Sequence, residues 1–139
     1  MARRLEAVAE TLGAELHGAD TAFGDVATDT RTIGPGALFV AIAGPRFDGN
    51  DFVADAHEKG AAGALVSRLA DVPIPQMLVP DTREAFGRMA RAWRENFAVP
   101  VVGVTGSAGK TTVKGLIASI LEVTHRVCVT EGSLNNDIG

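Results

Sequence analysis

Residues 101–115, VVGVTGSAGKTTVKG, constrain the fold of this chain more than any other stretch. A run of β-branched residues meets a glycine-rich turn, which is followed by Lys-Thr-Thr and an apolar segment with helical periodicity. The common phosphate-loop pattern G-x-x-x-x-G-K-[ST] would require a glycine at the position of Val104. The order of strand, turn and helix still predicts a strand over 101–105 and a helix over 110–123, joined by a phosphate-binding loop.

The residue types in this loop suit a nucleotide phosphate. The first N–H groups of a helix have no partner within the helix and lie at the positive end of its dipole. Gly106 and Gly109 let the backbone approach phosphate oxygens closely. Lys110 supplies a cation for the β- and γ-phosphates, and the Thr111 hydroxyl is placed to coordinate Mg²⁺. The simpler alternative is a glycine-rich turn with an exposed lysine, but all these features in register favour phosphate binding.

Before residue 80, the hydrophobic pattern alternates between helices and short strands. Helical spacing covers 3–12 and 50–60, and Asn50 or Asp51 is the candidate N-cap of the second helix. Continuous apolar runs predict buried strands at 37–44, 61–67 and 76–80. Strand, helix and strand at this spacing predict a βαβ unit with parallel pairing.

A different pattern begins at Asp81. Asp81 and Glu84 are typical of a capping box, and the stripe that includes Met89, Trp93 and Phe97 predicts a helix over 82–97 with these three side chains in the core. A last strand is expected at 126–130. We place a domain boundary here, with domains 1–80 and 81–139. The predicted class is α/β: a small mixed domain, then the first strand, phosphate loop, helix and strand of a parallel-sheet domain.

Composition argues against several classes of function. The chain has 139 residues, 46% of them apolar, and a net charge of −4 with no basic cluster, which argues against nucleic acid and anionic membranes as partners. No apolar run reaches the roughly 18 residues of a membrane span, so we expect a cytoplasmic protein without membrane insertion. Cys128 is the single cysteine, and the three histidines lack metal-ligand spacing.

Two stretches flank the loop in a fixed order, TDTRTIGPGALFVAIAG from residue 28 and VTEGSLNNDIG at 129–139. Together with VTGSAGKTTVK they closely resemble the Mur ligases of bacterial cell-wall synthesis, from about residue 28 to residue 139. The loop form [VI]-T-G-[ST]-x-G-K-[TS] is the one this family uses, so Val104 supports the resemblance. LNNDIG and the RFD at 46–48 favour the branch that adds D-alanyl-D-alanine over the branch that adds a single amino acid.

The resemblance implies an ATP-dependent amide ligase that uses Mg²⁺. ATP would phosphorylate the terminal carboxylate of UDP-N-acetylmuramoyl tripeptide, and the amine of D-alanyl-D-alanine would attack the acyl phosphate. Domain 1–80 would bind the UDP-sugar, and 81–139 would begin the ATP-binding domain. Lys110 and Thr111 would be catalytic, with Thr111 as the metal ligand. ATP would be bound by Thr105, Gly106, Ser107, Ala108, Gly109, Lys110, Thr111 and Thr112.

The resemblance also suggests roles for two polar segments. From spacing alone, Asp29, Thr30 and Arg31 are typical of a solvated turn; with the resemblance, they are expected to hold the uridine or its ribose. Asn135 and Asn136 would contact the UDP-sugar, and the alternative is a plain turn in which asparagine tolerates left-handed geometry. Both segments are therefore candidate substrate contacts.

A third candidate segment follows the strand predicted at 37–44. Arg46, Phe47 and Asp48 come directly after its carboxyl end, where open α/β sheets bind their ligands. Arg46 would face a phosphate and Phe47 would stack on a base. The alternative is a surface arginine with the phenylalanine packed under the loop. With the resemblance, we include all three residues among the UDP-sugar contacts.

Residues 81–139 hold few strands for a phosphate-loop sheet, so we expect a fragment that cannot complete the reaction alone. We expect the full-length protein to be a monomer and the fragment to self-associate through the edge of its unfinished sheet. Two other functions stay open. One is a module that only binds the UDP-sugar, and the other is an unrelated phosphate-loop kinase or GTPase, although the chain has no [NT]-K-x-D guanine motif.

Overall fold

A computed structural model describes residues 3–44 and 47–130. The chain divides after Asn96 into two compact units. The domain boundary placed at residues 80/81 from the change in sequence pattern stays a prediction. In chain order, the first unit contains β1 (Arg3–Arg4), α1 (Leu5–Leu12), β2 (Glu15–His17), β3 (Ala22–Phe23), β4 (Val26–Ala27), β5 (Leu38–Val40), a 3₁₀ helix (Gly49–Phe52), α2 (Val53–Glu58), β6 (Gly63–Val66), β7 (Gln76–Leu78) and α3 (Thr82–Arg94). The second contains α4 (Lys110–Leu121).

The first unit is built on a five-stranded sheet in the order β2-β7-β6-β5-β4. Strands β4, β5, β6 and β7 are parallel, and β2 joins the edge antiparallel to β7. The helix α2 connects the neighbouring strands β5 and β6, so the predicted βαβ unit is confirmed. Strands β1 and β3 form a separate antiparallel ribbon. The α/β class is therefore confirmed, with a sheet that is parallel except at one edge.

The central strands are the core of this unit. Every residue of β5 and β6 is buried, as their continuous apolar sequences predict for strands covered on both faces. On one face Phe39 and Val66 pack with Val53 and Ala56 of α2. Burial of this apolar surface is the main force that holds the sheet and helix together.

The start of α3 is fixed by two polar side chains. The carboxylate of Asp81 accepts hydrogen bonds from the backbone N–H groups of Arg83 (2.8 Å) and Glu84 (3.0 Å), which confirms the predicted cap. The buried Thr82 hydroxyl donates to the carbonyl of Ala41, just beyond β5, at 2.8 Å. The Asp81 bonds fix the first turn of α3, and the Thr82 bond attaches that turn to the chain just beyond β5.

The prediction that Met89, Trp93 and Phe97 form core is wrong for Trp93 and Phe97, which are exposed, while Met89 is half-buried. Trp93 is 43% exposed and Phe97 45%, because only the first turn of α3, at Thr82 and Ala85, is buried. The guanidinium of Arg3 lies over the Trp93 ring, 3.9 Å from its centroid.

The second unit also differs from the prediction. Residues 101–105 and 126–130 were expected to be strands, yet neither stretch has a strand partner among the described residues. A strand exists only through backbone pairing with a neighbour, which apolar sequence alone does not supply. The expected inner face of α4 is exposed at Val113, Leu116 and Ile120, and only Ala118 is buried.

Candidate functional sites

The parallel sheet brings four loops to one edge. Asp29 to Arg31 follow β4, Phe47 and Asp48 follow β5, Ser67 and Arg68 follow β6, and Asp81 follows β7. Because the carboxyl ends of parallel strands share an edge, these loops lie side by side, at the place where open α/β sheets bind ligands. We call this the carboxyl edge. It holds two of the three segments that were predicted to contact the substrate.

Asp29 and Arg31 are bound to each other. The Arg31 guanidinium donates to both carboxylate oxygens of Asp29, at 2.6 to 3.0 Å, and the Arg31 backbone N–H donates to Oδ1 at 2.9 Å. The side-chain hydrogen bonds from Arg31 are the main reason that the pKa of Asp29 falls to about 2, and the carboxylate in turn raises the pKa of Arg31. The two side chains close a turn, and the charges of the pair sum to zero.

This pair has a testable pH dependence. A folded-state pKa of about 2, below the ordinary value of 3.8, means that Asp29 adds to the free energy of unfolding above pH 4 and that this contribution is lost as the pH falls towards 2. An NMR titration of the Asp29 carboxyl carbon should show a midpoint near pH 2. Arg31→Gln should return the midpoint towards 3.8, whereas Arg91→Gln on α3 should not move it. A midpoint near 3.8 in the unaltered chain would contradict the bidentate pair.

Thr30 anchors the same loop to α2. Its buried backbone carbonyl accepts a hydrogen bond from Lys59 Nζ at 2.9 Å. Its side chain hydrogen-bonds to Asp55, and this bond, followed by the one from Lys59, lowers the pKa of the Asp55 carboxyl. Thr30 is thus held by the protein itself, and a role in binding uridine stays a prediction.

The loop after β5 is organised by Asp48, which caps the 3₁₀ helix. The expected cap, Asn50 or Asp51, was placed too late in the sequence, because the helix begins earlier with a 3₁₀ turn at Gly49. Asp48 Oδ1 accepts from the backbone N–H of Asn50 (2.9 Å) and from its Nδ2 (2.6 Å). These bonds from Asn50, with a weaker contribution from Arg68, lower the pKa of the Asp48 carboxyl.

Asn50 joins this loop to the next one. Its buried side chain donates to the Ser67 hydroxyl at 2.9 Å and accepts from the backbone N–H groups of Ser67 (3.0 Å) and Arg68 (3.2 Å). A buried amide with all its hydrogen bonds made holds its neighbours in one arrangement. Asn50 therefore holds Ser67 and Arg68, which lie 17 and 18 positions later in the sequence, beside its own loop at the carboxyl edge.

Arg68 and Phe47 are two of the exposed residues in these loops. The Arg68 guanidinium donates to Asp51 at 2.8 Å and more weakly to Asp48 at 3.5 Å. Phe47 is 59% exposed, so the alternative in which its ring packs under the loop does not apply. Sequence reasoning missed Arg68, although its position directly after a strand of the parallel sheet is a usable signal.

Three predicted contacts, Arg46, Asn135 and Asn136, lie outside the described residues. Their proposed roles therefore stay predictions. The described residues contain no group of three or more His, Cys, Asp or Glu arranged to hold a metal ion. No helix within 3–44 and 47–130 is long and apolar enough to cross a membrane.

The phosphate loop ends in a left-handed glycine. Gly109 has φ 75° and is the N-cap residue of α4, a conformation that glycine adopts without the penalty of a Cβ. The first helical bond runs from Val113 N–H to the Gly109 carbonyl at 2.9 Å. The N–H groups of Lys110, Thr111 and Thr112 come before Val113 and therefore have no carbonyl partner within α4.

The starts of α3 and α4 differ in a way that bears on function. Asp81 caps α3 with its own carboxylate, whereas no described side chain caps α4. Lys110 Nζ donates to the Gly106 carbonyl at 2.5 Å, so the lysine folds back along the loop. An uncapped helix start with an adjacent lysine has the donors and the positive charge that a phosphate group requires.

Comparison with known proteins identifies the family. Residues 22–94 match the family described as "Mur ligase family, catalytic domain", and residues 104–139 match the "Mur ligase middle domain". The first match alone covers more than half of the chain, which therefore belongs to the Mur ligase family.

Individual relatives are also named. The chain is 47% identical over 135 residues to the UDP-N-acetylmuramoyl-tripeptide–D-alanyl-D-alanine ligase of Escherichia coli (strain K12), covering 97% of this chain and 30% of that protein. It is similar to a crystal structure of MurF from Acinetobacter baumannii, with a TM-score of 0.92 and 34% identity over 99% of this chain and 31% of that one.

MurF ligase from Thermotoga maritima in complex with ADP is a third relative, with a TM-score of 0.76 and 34% identity over 83% of this chain and 27% of that one. The chain thus spans about a third or less of the length of these relatives.

Proposed function

We propose that this chain is part of the ATP-dependent ligase that joins D-alanyl-D-alanine to UDP-N-acetylmuramoyl tripeptide. The observation that carries the proposal is the uncapped start of α4 behind Gly109, with Lys110 beside it, in a chain aligned along 97% of its length with a ligase of that name. Residues 81–139 are proposed to begin the ATP-binding domain, and residues 1–80 to bind the UDP-sugar in the cytoplasm, where ATP is available.

The proposed ATP contacts are the loop residues Thr105 to Thr112. The backbone N–H groups of Lys110, Thr111 and Thr112 would donate to phosphate oxygens, and Lys110 Nζ would exchange its bond with the Gly106 carbonyl for one to the phosphates. The exposed hydroxyl of Thr111, in the first turn of α4, would be a Mg²⁺ ligand. When bound, the metal supplies charge neutralisation for the transferred phosphoryl group.

The proposed reaction has two steps. The terminal carboxylate of the tripeptide attacks the γ-phosphorus of ATP, which forms an acyl phosphate and releases ADP. The amine of D-alanyl-D-alanine then attacks the acyl carbon, which forms the amide bond and releases phosphate and a proton. The contribution proposed for this chain is to position the phosphates and stabilise their charge, because phosphoryl transfer depends mainly on these two effects.

Two experiments test this function. One is titration calorimetry on the 139-residue chain, and the other is a turnover assay on a full-length ligase that contains it. We expect the chain to bind UDP-N-acetylmuramoyl tripeptide, and the ligase to form ADP only when both the tripeptide substrate and D-alanyl-D-alanine are present. Binding of the UDP-sugar with no ATP binding or turnover would favour a binding module. ADP formation with a single amino acid in place of the dipeptide would favour the other branch of the family, and phosphate transfer to a nucleoside or protein would overturn the proposal.

A further inference from the structure

A cavity of about 610 Å³ lies between α1, the ribbon of β1 and β3, and α3 in the first unit. We propose that it binds a small aromatic carboxylate, with the carboxylate on Arg3 and the ring against the apolar wall. A cavity of this volume lies within the range of small-molecule sites in proteins, roughly 300 to 1,000 Å³. None of the described residues that line it belongs to the carboxyl edge or to the phosphate loop. The site is therefore additional to the proposed ligase function and does not depend on it.

Two helices that run in opposite directions form the long walls of the cavity. Arg3, just before α1, has its guanidinium carbon 3.9 Å from the ring centroid of Trp93, in the last turn of α3. Arg88, in the middle of α3, donates to the carbonyl of Thr11, in the last turn of α1, at 3.4 Å. Because Trp93 and Thr11 both line the cavity, it extends between these two contacts.

The apolar wall of the cavity is largely aromatic. Phe23 lines it from the ribbon, and Phe86, Met89 and Trp93 line it from α3. The last three are spaced by three and four residues, so they share one face of the helix. Part of this face was predicted to be core, yet Trp93 is 43% exposed. Aromatic rings pack in offset or edge-to-face pairs, and methionine adapts to a flat neighbour, so this wall suits an aromatic ligand.

Arg3 provides the positive charge that a carboxylate requires. Within the described part of the chain, its guanidinium lies over the rings of Trp93 and Phe23 and pairs with no carboxylate. Arg4 differs, because its guanidinium already donates to the carboxylate of Asp20. A guanidinium stacked on a ring keeps the N–H groups at its edge available for a planar carboxylate. Arg3 beside an aromatic wall therefore complements a ligand that has both a carboxylate and a flat ring.

The test uses NMR on the 139-residue chain, because Trp93 is its single tryptophan and the indole N–H gives one signal. The probes are indole-3-acetate and its neutral amide, indole-3-acetamide, which share a ring and nearly share a shape. We expect indole-3-acetate to shift the Trp93 signal saturably and to bind about 10-fold more tightly than the amide, the lower end of the effect of a hydrogen bond to a charged group. Decanoate, a carboxylate without a ring, should bind more weakly than indole-3-acetate.

Two arginine variants test the role of the charge. Arg3→Gln should reduce the affinity for indole-3-acetate to that for the amide, because glutamine keeps donors but not the positive charge. Arg91→Gln is the matched control, since Arg91 is also an arginine near the end of α3, but it pairs with Glu95 at 3.1 Å and is not among the lining residues. It should leave both affinities unchanged.

A third variant tests the location. Ala7 lines the cavity from an exposed position of α1, so Ala7→Phe should fill part of the space and weaken the binding of both probes. An Ala7→Phe chain that binds as tightly as the parent would overturn the location, and a folded Arg3→Gln chain that still prefers the carboxylate would overturn the role of Arg3. Decanoate that binds as tightly as indole-3-acetate would overturn the aromatic assignment. No shift of the Trp93 signal with indole-3-acetate would overturn the site and leave the proposed ligase function intact.

Discussion

Replacing Lys110 with alanine in a full-length ligase that contains this chain is expected to lower the rate of ATP-dependent amide formation by about 10²- to 10³-fold. Lys110 is the cation of the phosphate loop, one residue after the left-handed Gly109. Its charge would stabilise the negative charge that develops on the transferred phosphoryl group, and no backbone N–H supplies a full positive charge in its place. A coupled assay that detects ADP release at saturating substrate concentrations measures the loss.

Binding of the UDP-sugar separates this loss from misfolding. Its affinity, measured by calorimetry, should be nearly unchanged in Lys110→Ala, because Lys110 is not among the proposed UDP-sugar contacts. Lys114→Ala is the matched control: Lys114 lies one turn further along α4 and donates to Thr130 rather than to the loop. Turnover of Lys110→Ala within tenfold of the parent enzyme would show that the phosphate loop is assigned wrongly.

The parts of the fold that the sequence predicts well are those with strong local signals. Buried strands β5 and β6 follow from continuous apolar runs, and the start of α3 follows from the Asp81 cap. Around the loop, the helix predicted after Gly109 is confirmed and the strand predicted at 101–105 is not, so phosphate binding by the loop stays a prediction. The positive φ at Gly109 agrees with that prediction.

The remaining parts depend on partners that no local pattern specifies. Strands β3 and β4 have two residues each, too short for a periodic signal, and exist through their pairing with β1 and β5. The link from Asn50 to Ser67 spans 17 positions and becomes visible only when β5 and β6 are adjacent. Apolar periodicity in α4 predicts which residues share a face, but not whether that face is covered.

Replacing Gly49 with alanine is expected to destabilise the first unit by about 3 kcal/mol, at the upper end of the usual cost of overpacking. A Cβ at this position would lie 2.6 Å from the carbonyl carbon of Ala41 and 2.6 Å from the backbone nitrogen of Ile42. Because both atoms are backbone, no side-chain rotation relieves the overlap. The bond from Gly49 N–H to the Ile42 carbonyl, at 3.0 Å, would lengthen as the loop moves away.

The measurement is thermal unfolding followed by circular dichroism, with a loss of about 10 to 20 °C in Tm expected for a unit of this size. The matched control is Gly87→Ala, because Gly87 lies inside α3 with no atom within 4 Å of the added Cβ. Alanine is the better helix former there, so the control should gain about 0.5 to 1 kcal/mol. Since Gly49 lies between Asp48 and Asn50, its substitution should also weaken UDP binding in chains that remain folded, which Gly87→Ala should not do. Equal Tm values for Gly49→Ala and the parent chain would contradict the close packing of this loop on the end of β5.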